Sequence, residues 1–157
     1  MPFSLIRFNL IEPTLDSQSL SDRYKAMLDM AEFADQNGFF MATFEEHHGA
    51  DNAWSPTPLM NAGTVLARTT TLSASISALL LPLHDPIRVA EDIAVIDLMS
   101  GGRLTVIFGL GYRPSEYQLM GKDWDNRGKI MDESIQTLLD AWTGEPFQYK
   151  GETHRIT

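Results

Sequence analysis

The segment Phe39-Phe40-Met41-Ala42-Thr43-Phe44-Glu45-Glu46-His47-His48-Gly49 decides how the chain is to be read. Its first six residues are mostly apolar, follow Gly38, and are too few for a buried helix, so they read as a buried strand. The next four residues put two carboxylates and two imidazoles at that strand's carboxyl end, where parallel α/β folds carry their chemistry. The same cluster also reads as a solvated turn bearing surface charges. The chain on either side separates the two.

Upstream, Phe3 to Leu10 is a strand candidate stopped by Pro13, and Glu12 to Gln18 is a loop. A helix then starts near Ser19 or Ser21, repeats Tyr24, Met27, Leu28, Ala31 and Ala34 at helical spacing, and closes at Asn37-Gly38. Its methionines read as core. Downstream of the cluster, Ser55-Pro56 or Thr57-Pro58 opens a second helix with Leu59, Ala62, Gly63, Leu66 and Ala67 inward. Leu72 to Leu81 is a third strand of small and branched residues ended by Pro82, and His84-Asp85-Pro86 opens a third helix that runs through Met99 to Gly101-Gly102. A fourth strand, Arg103 to Phe108, enters the turn Gly109-Leu110-Gly111-Tyr112-Arg113-Pro114. A fourth helix follows from Asn126 or Arg127 to Trp142, and Phe147 to Ile156 looks like a small hairpin.

Four strand–helix pairs with connections of this length predict parallel crossovers, hence an α/β fold. Either a four-stranded open sheet or half of an eight-stranded barrel satisfies that order.

The bulk composition narrows the partners. With 157 residues the chain suits one domain, and 43% hydrophobic with 21% charged residues is a globular composition. A net charge of -9, with Lys and Arg scattered singly, argues against nucleic acid or an anionic membrane. The absence of cysteine excludes disulfides and thiolate metal sites. The start, Met1-Pro2-Phe3-Ser4-Leu5-Ile6-Arg7, has no basic region followed by a long apolar core, and no apolar run is long enough for a membrane span. A cytoplasmic protein is the expectation.

As bare chemistry, a histidine beside a carboxylate is suited to moving protons near neutral pH. Two histidines could also hold a metal, but neighbours on an extended segment point apart and the helical HExxH spacing is absent, so no metal site is expected. Gly109-Leu110-Gly111 is a weak nucleotide signal, because Pro114 stands where a dinucleotide fingerprint needs glycine; a glycine turn still lets a flat ligand approach the backbone. Arg88 with Glu91 and Asp92 reads as a solvated ion-pair face, and His84 and His154 as surface or capping residues.

Several stretches together resemble the bacterial luciferase-like monooxygenase family: Glu46-His47-His48, Leu81-Pro82, Pro86 to Asp92, Asp97 to Arg103, Gly109-Leu110-Gly111 with Glu116-Tyr117, and Asp125-Asn126-Arg127. The resemblance covers nearly the whole chain in the family's order. It implies a TIM-type barrel, with residues 1–157 as a single domain forming its amino-terminal half. It also implies reduced FMN, or in related branches a deazaflavin, used with oxygen on a small organic substrate. By position, His47 matches the family's acid/base histidine and Glu46 the glutamate near the cofactor ring. Ser77-Ala78 matches a small-residue pair that holds the ring through a non-proline cis peptide. Gly109, Leu110 and Gly111 match a turn facing the flavin; luciferase itself carries cysteine and arginine near Gly109 and Leu110.

The family's main phosphate contacts lie in the other half of the barrel. A half barrel exposes two sheet edges and an inner face, so the expectation is either that the chain is a fragment or split product of a longer protein, or that a homo-oligomer or a complementary half-barrel chain covers the surface. The alternative functional reading is a catalytically incomplete half barrel acting as a binding or assembly subunit. A third is a hydrolase or metal-dependent isomerase using His47 and His48.

Overall fold

Asp16 sets where the first helix begins in the computed structural model, which describes residues 3–157. Its Oδ2 accepts from Ser19 N at 2.7 Å, and α1 spans Ser17–Gln36. The start therefore lies ahead of both serines, because a carboxylate one residue before the helix satisfies the exposed amides they were expected to cap. Met27, Ala31 and Ala34 are buried as the spacing requires. Met30 and Phe33, however, are 49% and 61% exposed, so the methionine-rich stretch is core on one face only.

Four strands follow the expected order with trimmed ends: β1 Leu5–Phe8, β2 Met41–Phe44, β3 Ser73–Leu79 and β4 Leu104–Phe108. All pair in parallel, in the spatial order β1-β2-β3-β4. Helices α2 (Pro58–Arg68) and α3 (Pro86–Ser100) form the crossovers between β2, β3 and β4. Asp85 caps α3 by accepting from Arg88 N, and Gly101 ends it with φ +68°.

Strand order settles the architecture. An open doubly wound sheet reverses direction at a switch point and takes helices on both faces. Here successive right-handed crossovers always advance one strand, which carries every helix to the same face. Ala42, Phe44, Ala74 and Ile76 point to that face and are fully buried. On the other face Arg7, Thr43, Ser75 and Thr105 lie in one register row. Leu5 and Ile107 on that side are more than half exposed. This is half of a parallel α/β barrel, with its inner side uncovered and β1 and β4 as edges.

The core beneath the helices centres on Phe44, Leu72, Ile76, Leu79 and Leu81. Burying each such side chain contributes about 1.5–3 kcal/mol. Polar struts lock the amino ends of the strands to this core. Asp35, in the last turn of α1, accepts from the amides of Thr70, Thr71 and Leu72 and from both threonine hydroxyls. Burial opposes its charge, yet those donors hold its carboxyl well below the usual range. Arg103 spreads its guanidinium over Ser100 O, Thr69 Oγ1, Leu72 O, Leu66 O and Thr69 O at 2.8–3.1 Å.

Two elements escape the periodicity. A single turn of 3-10 helix, Leu81–Leu83, follows β3, so that strand ends at Leu79 rather than Leu81. Helix α4, Pro114–Leu119, sits inside the stretch read as turn and connection; at six residues it is too short to show an apolar stripe. Helix α5 then spans Arg127–Ala141, and β5 (Tyr149–Lys150) pairs antiparallel with β6 (Arg155–Ile156) as expected. No helix among the described residues is long and apolar enough to cross a membrane.

Glu133 of α5 ties that hairpin down. Its carboxylate accepts from Glu152 N and Thr153 N, both at 2.9 Å, and from the Thr153 hydroxyl. Burial raises the carboxyl, but these donors outweigh it and hold the group at about 2, against an ordinary 4.5. A lowered carboxyl contributes stability that is complete above its unfolded value and is lost as pH falls to its folded one. Amide protection at Glu152 and Thr153 is therefore expected to fade as pH drops from about 4.5 to about 2. Hydrogen exchange read residue by residue checks this.

Candidate active site

The carboxyl ends of β2, β3 and β4 surround a cavity of about 430 Å³ lined by Glu46, His47, Trp54, Ser77, Ala78, Leu80, Gly109, Leu110, Gly111 and Tyr112, with Arg7 and Glu45 at its edge. Arg7 and Glu45 form an ion pair, and Glu45 also accepts from Trp54 Nε1 at 3.1 Å. The volume falls in the range of small-molecule sites.

One wall is made of small residues. The Ser77–Ala78 peptide bond is cis, as the family resemblance implied. Ser77 pairs with Ile107 and Leu79 with Phe108, so Ala78 stands outside the ladder and interrupts the wall's regular pleat. Gly109 N donates to Leu79 O at 2.8 Å, drawing the glycine turn against that bulge. A Cβ on Gly109 would sit 2.7 Å from Ala78 Cβ, so only glycine lets the two backbones approach this closely. Tyr117 OH donates to Leu110 O at 2.5 Å and holds the turn from below.

The opposite side carries His47. Its ring packs on Trp54, with centroids 4.1 Å apart, and against the edge of Tyr112 at 5.6 Å. Nδ1 lies 2.9 Å from Oε1 of Glu116, a fully buried carboxylate on α4 that also accepts from His48 N. An ionised carboxylate there requires a proton on Nδ1, which leaves Nε2 as the basic nitrogen. Nε2 has no hydrogen-bond partner among the described residues. Glu116 Oε2 is buried without a partner, and Arg113 Nη1 is the nearby cation, 3.6 Å from Oε1. The geometry suits a proton carrier whose tautomer is set from behind.

His48 turns the other way, as expected for adjacent residues on an extended segment. Its Nε2 lies 2.8 Å from Glu46 Oε1, and His84 Nε2 lies 2.5 Å from the same oxygen. Glu46 Oε2 accepts from Leu80 N at 2.5 Å. Burial raises Glu46's carboxyl, but hydrogen bonds from the two imidazoles and Leu80 N, with His84's charge, hold it at about 2. The hydrogen bond to Glu46 raises His48 against the opposing effect of burial. His84 is thus no surface residue: the 3-10 turn after β3 folds it back onto Glu46.

The fold therefore brings Glu46, His47, Ser77, Ala78 and the Gly109–Gly111 turn to one cavity. Sequence reading missed Glu116, Trp54 and Tyr112 as parts of the same site; Glu116 lies 69 residues from His47, and its only signal was the family-like Glu116-Tyr117 pair. Arg88 remains on the exposed α3 face with Glu91 and Asp92, as expected. His154 stays away from the cavity and hydrogen-bonds Thr137 at 2.8 Å.

A parallel half barrel with a histidine–carboxylate pair and a flat glycine-bounded wall at its strand ends has the form of an α/β-barrel enzyme site. The chain belongs to the luciferase-like monooxygenase family, whose model matches residues 1–157. It is 28% identical over 154 residues to the oxygenase component of the flavin-dependent trigonelline monooxygenase of Acinetobacter baylyi, covering 97% of this chain and 42% of that protein. Monooxygenase RslO1 of Streptomyces bottropensis superposes with a TM-score of 0.88 at 28% identity, over 99% of this chain and 47% of the other. The oxygenating constituent of 3,6-diketocamphane monooxygenase of Pseudomonas putida, solved with FMN, shares the fold with a TM-score of 0.88 at 20% identity, over 98% and 42%. The chain spans less than half the length of each of these proteins.

Proposed function

We propose that residues 1–157 form one domain, the amino-terminal half of a flavin-dependent luciferase-like monooxygenase that uses reduced FMN and oxygen on a small organic substrate. The observation that carries this is His47, held by Glu116 with Nε2 unpartnered, across a cavity from the flat wall of Ser77, Ala78 and Gly109. That wall has the shape a planar tricyclic ring needs, since Gly109 presents no side chain and Ala78 only a methyl group. Bound reduced FMN would supply the electrons for oxygen activation; a deazaflavin is the alternative cofactor.

Each residue then has a role. Ser77, Ala78, Gly109, Leu110 and Gly111 flank the ring. His47 takes up or returns a proton through Nε2 at the reacting group. Trp54 and Tyr112 orient the imidazole by packing and keep water from it. Glu46 lies next to the ring's expected place, but its carboxylate is engaged by His48, His84 and Leu80 N. We assign it the task of holding the end of β2 rather than that of a free base.

Titration of the chain with FMN in oxidised and reduced form, and with a deazaflavin, tests the reading through tryptophan fluorescence, with Trp54 the indole that lines the cavity. Saturable quenching that weakens in Gly109→Val is expected. If no flavin of either kind quenches, and His47→Ala changes nothing, the catalytic reading fails.

The uncovered sheet face favours a second reading, a binding or assembly subunit. Ser77, Thr105 and Ile107 stand exposed on that face, and β1 and β4 are edges, so either role has the face covered by the barrel's other half, whether that half is further sequence of the same protein, a second copy or a complementary half-barrel chain. Light scattering that finds a stable monomer at micromolar concentration excludes self-association.

A further inference from the structure

Glu46 is the meeting point of two imidazoles that the sequence keeps far apart, and that convergence has a chemistry of its own. We propose that Glu46, His48 and His84 form a binding site for a first-row divalent cation of the zinc class, with a coordination position open to solvent. Glu46 Oε1, His48 Nε2 and His84 Nε2 all lie within 4.8 Å of one another. Two neutral imidazoles and one carboxylate are a ligand set for zinc, nickel or copper, whereas calcium and magnesium require oxygen ligands.

The contacts now measure 2.8 and 2.5 Å, which are hydrogen-bond distances with a proton shared in each. Ligands about 2.0–2.1 Å from a tetrahedral ion stand roughly 3.3 Å apart, so each contact opens by less than about 1 Å when the ion replaces the protons. The frame suits that exchange. Leu80 N holds Glu46 Oε2 at 2.5 Å and leaves Oε1 as the ligand atom, an outer-sphere bond of the kind that orients metal-binding carboxylates. The Glu46 side chain is fully buried, while those of His48 and His84 are 11% and 26% exposed. His84 also lines a second cavity of about 440 Å³ with Lys122, Asp123 and Asn126, so solvent reaches that imidazole.

Glu46 offsets one of the ion's two charges. His47 takes no part, because its Nδ1 is committed to Glu116. The site stands on these residues alone and does not depend on the flavin reading.

The test is zinc itself on the metal-stripped chain, measured by competition with a chromophoric chelator. About one equivalent should bind saturably, and cobalt in its place should give visible d–d bands without a thiolate band. His84→Gln keeps a donor for Glu46 and should weaken zinc by at least about tenfold, the least that losing even an outer-sphere partner costs. His154→Gln should leave binding unchanged. Histidine ring nitrogen spectra of the parent give a readout independent of any variant: zinc should move His48 and His84 and leave His47 and His154 in place. Absence of saturable binding, undiminished affinity in His84→Gln, or shifts confined to His154 would overturn the proposal.

Discussion

Replacing Arg103 by alanine is expected to destabilise the chain by about 3–5 kcal/mol, the largest single effect on stability among the polar groups. The guanidinium donates to five acceptors, four of them main-chain carbonyls at the ends of α2 and α3 and in the segment entering β3. Alanine leaves those carbonyls without their donor, and a buried acceptor that loses its partner loses more than the bond was worth. Arg103 also places a positive charge at the carboxyl end of α2, where the helix dipole is negative. For a chain of this size the loss corresponds to a fall of roughly 10–15 °C in Tm. Arg103→Lys keeps the charge but not the planar fork, and should retain only part of the stability. Urea unfolding of the three proteins measures the series. A loss under about 1 kcal/mol in Arg103→Ala would show that water replaces the side chain at these carbonyls.

Under the proposed function, replacing His47 by glutamine is expected to lower oxygen-dependent turnover with reduced flavin by about 10²–10⁴-fold, the usual worth of one positioned acid–base group. Glutamine can still donate to Glu116, so the buried carboxylate keeps a partner and the fold survives. What disappears is the basic Nε2 beside the cavity. Glu116→Gln leaves the imidazole in place but no longer specifies which nitrogen carries the proton, and its effect should be smaller. Turnover of the parent and the two variants, compared side by side, separates the two roles. Equal rates in all three proteins would assign the proton transfer elsewhere.

The cavity wall and the His47 side of the site were legible to different degrees. Residues 39–49 carry a short apolar run followed by a dense polar cluster, and that contrast survives in any context. The glycine turn at 109–111 was visible as an approach for a flat ligand, and Ser77-Ala78 through the family resemblance. Glu116 was not, because α4 is a six-residue helix with no periodicity, and nothing in the spacing ties it to a histidine 69 residues earlier. His84 was misjudged for a related reason. A lone histidine before a proline-capped helix reads as surface, and only the 3-10 turn at Leu81–Leu83 turns it onto Glu46.

By itself the sequence determined the alternation of strands and helices, the caps at Asp85 and Gly101, and the placing of Glu46 and His47 at a strand's carboxyl end. These are local matters of apolar period, capping chemistry and glycine conformation, and each is written within a few residues. Only the tertiary structure decided that the sheet is half of a barrel rather than an open one. Only it showed that Glu46 is a strut between two imidazoles, and that His47 is held at Nδ1 by Glu116 while its Nε2 has no partner among the described residues. Those outcomes depend on which distant groups share a buried volume. A carboxylate's role follows from the partners that surround it there, and no local pattern along the chain carries that information.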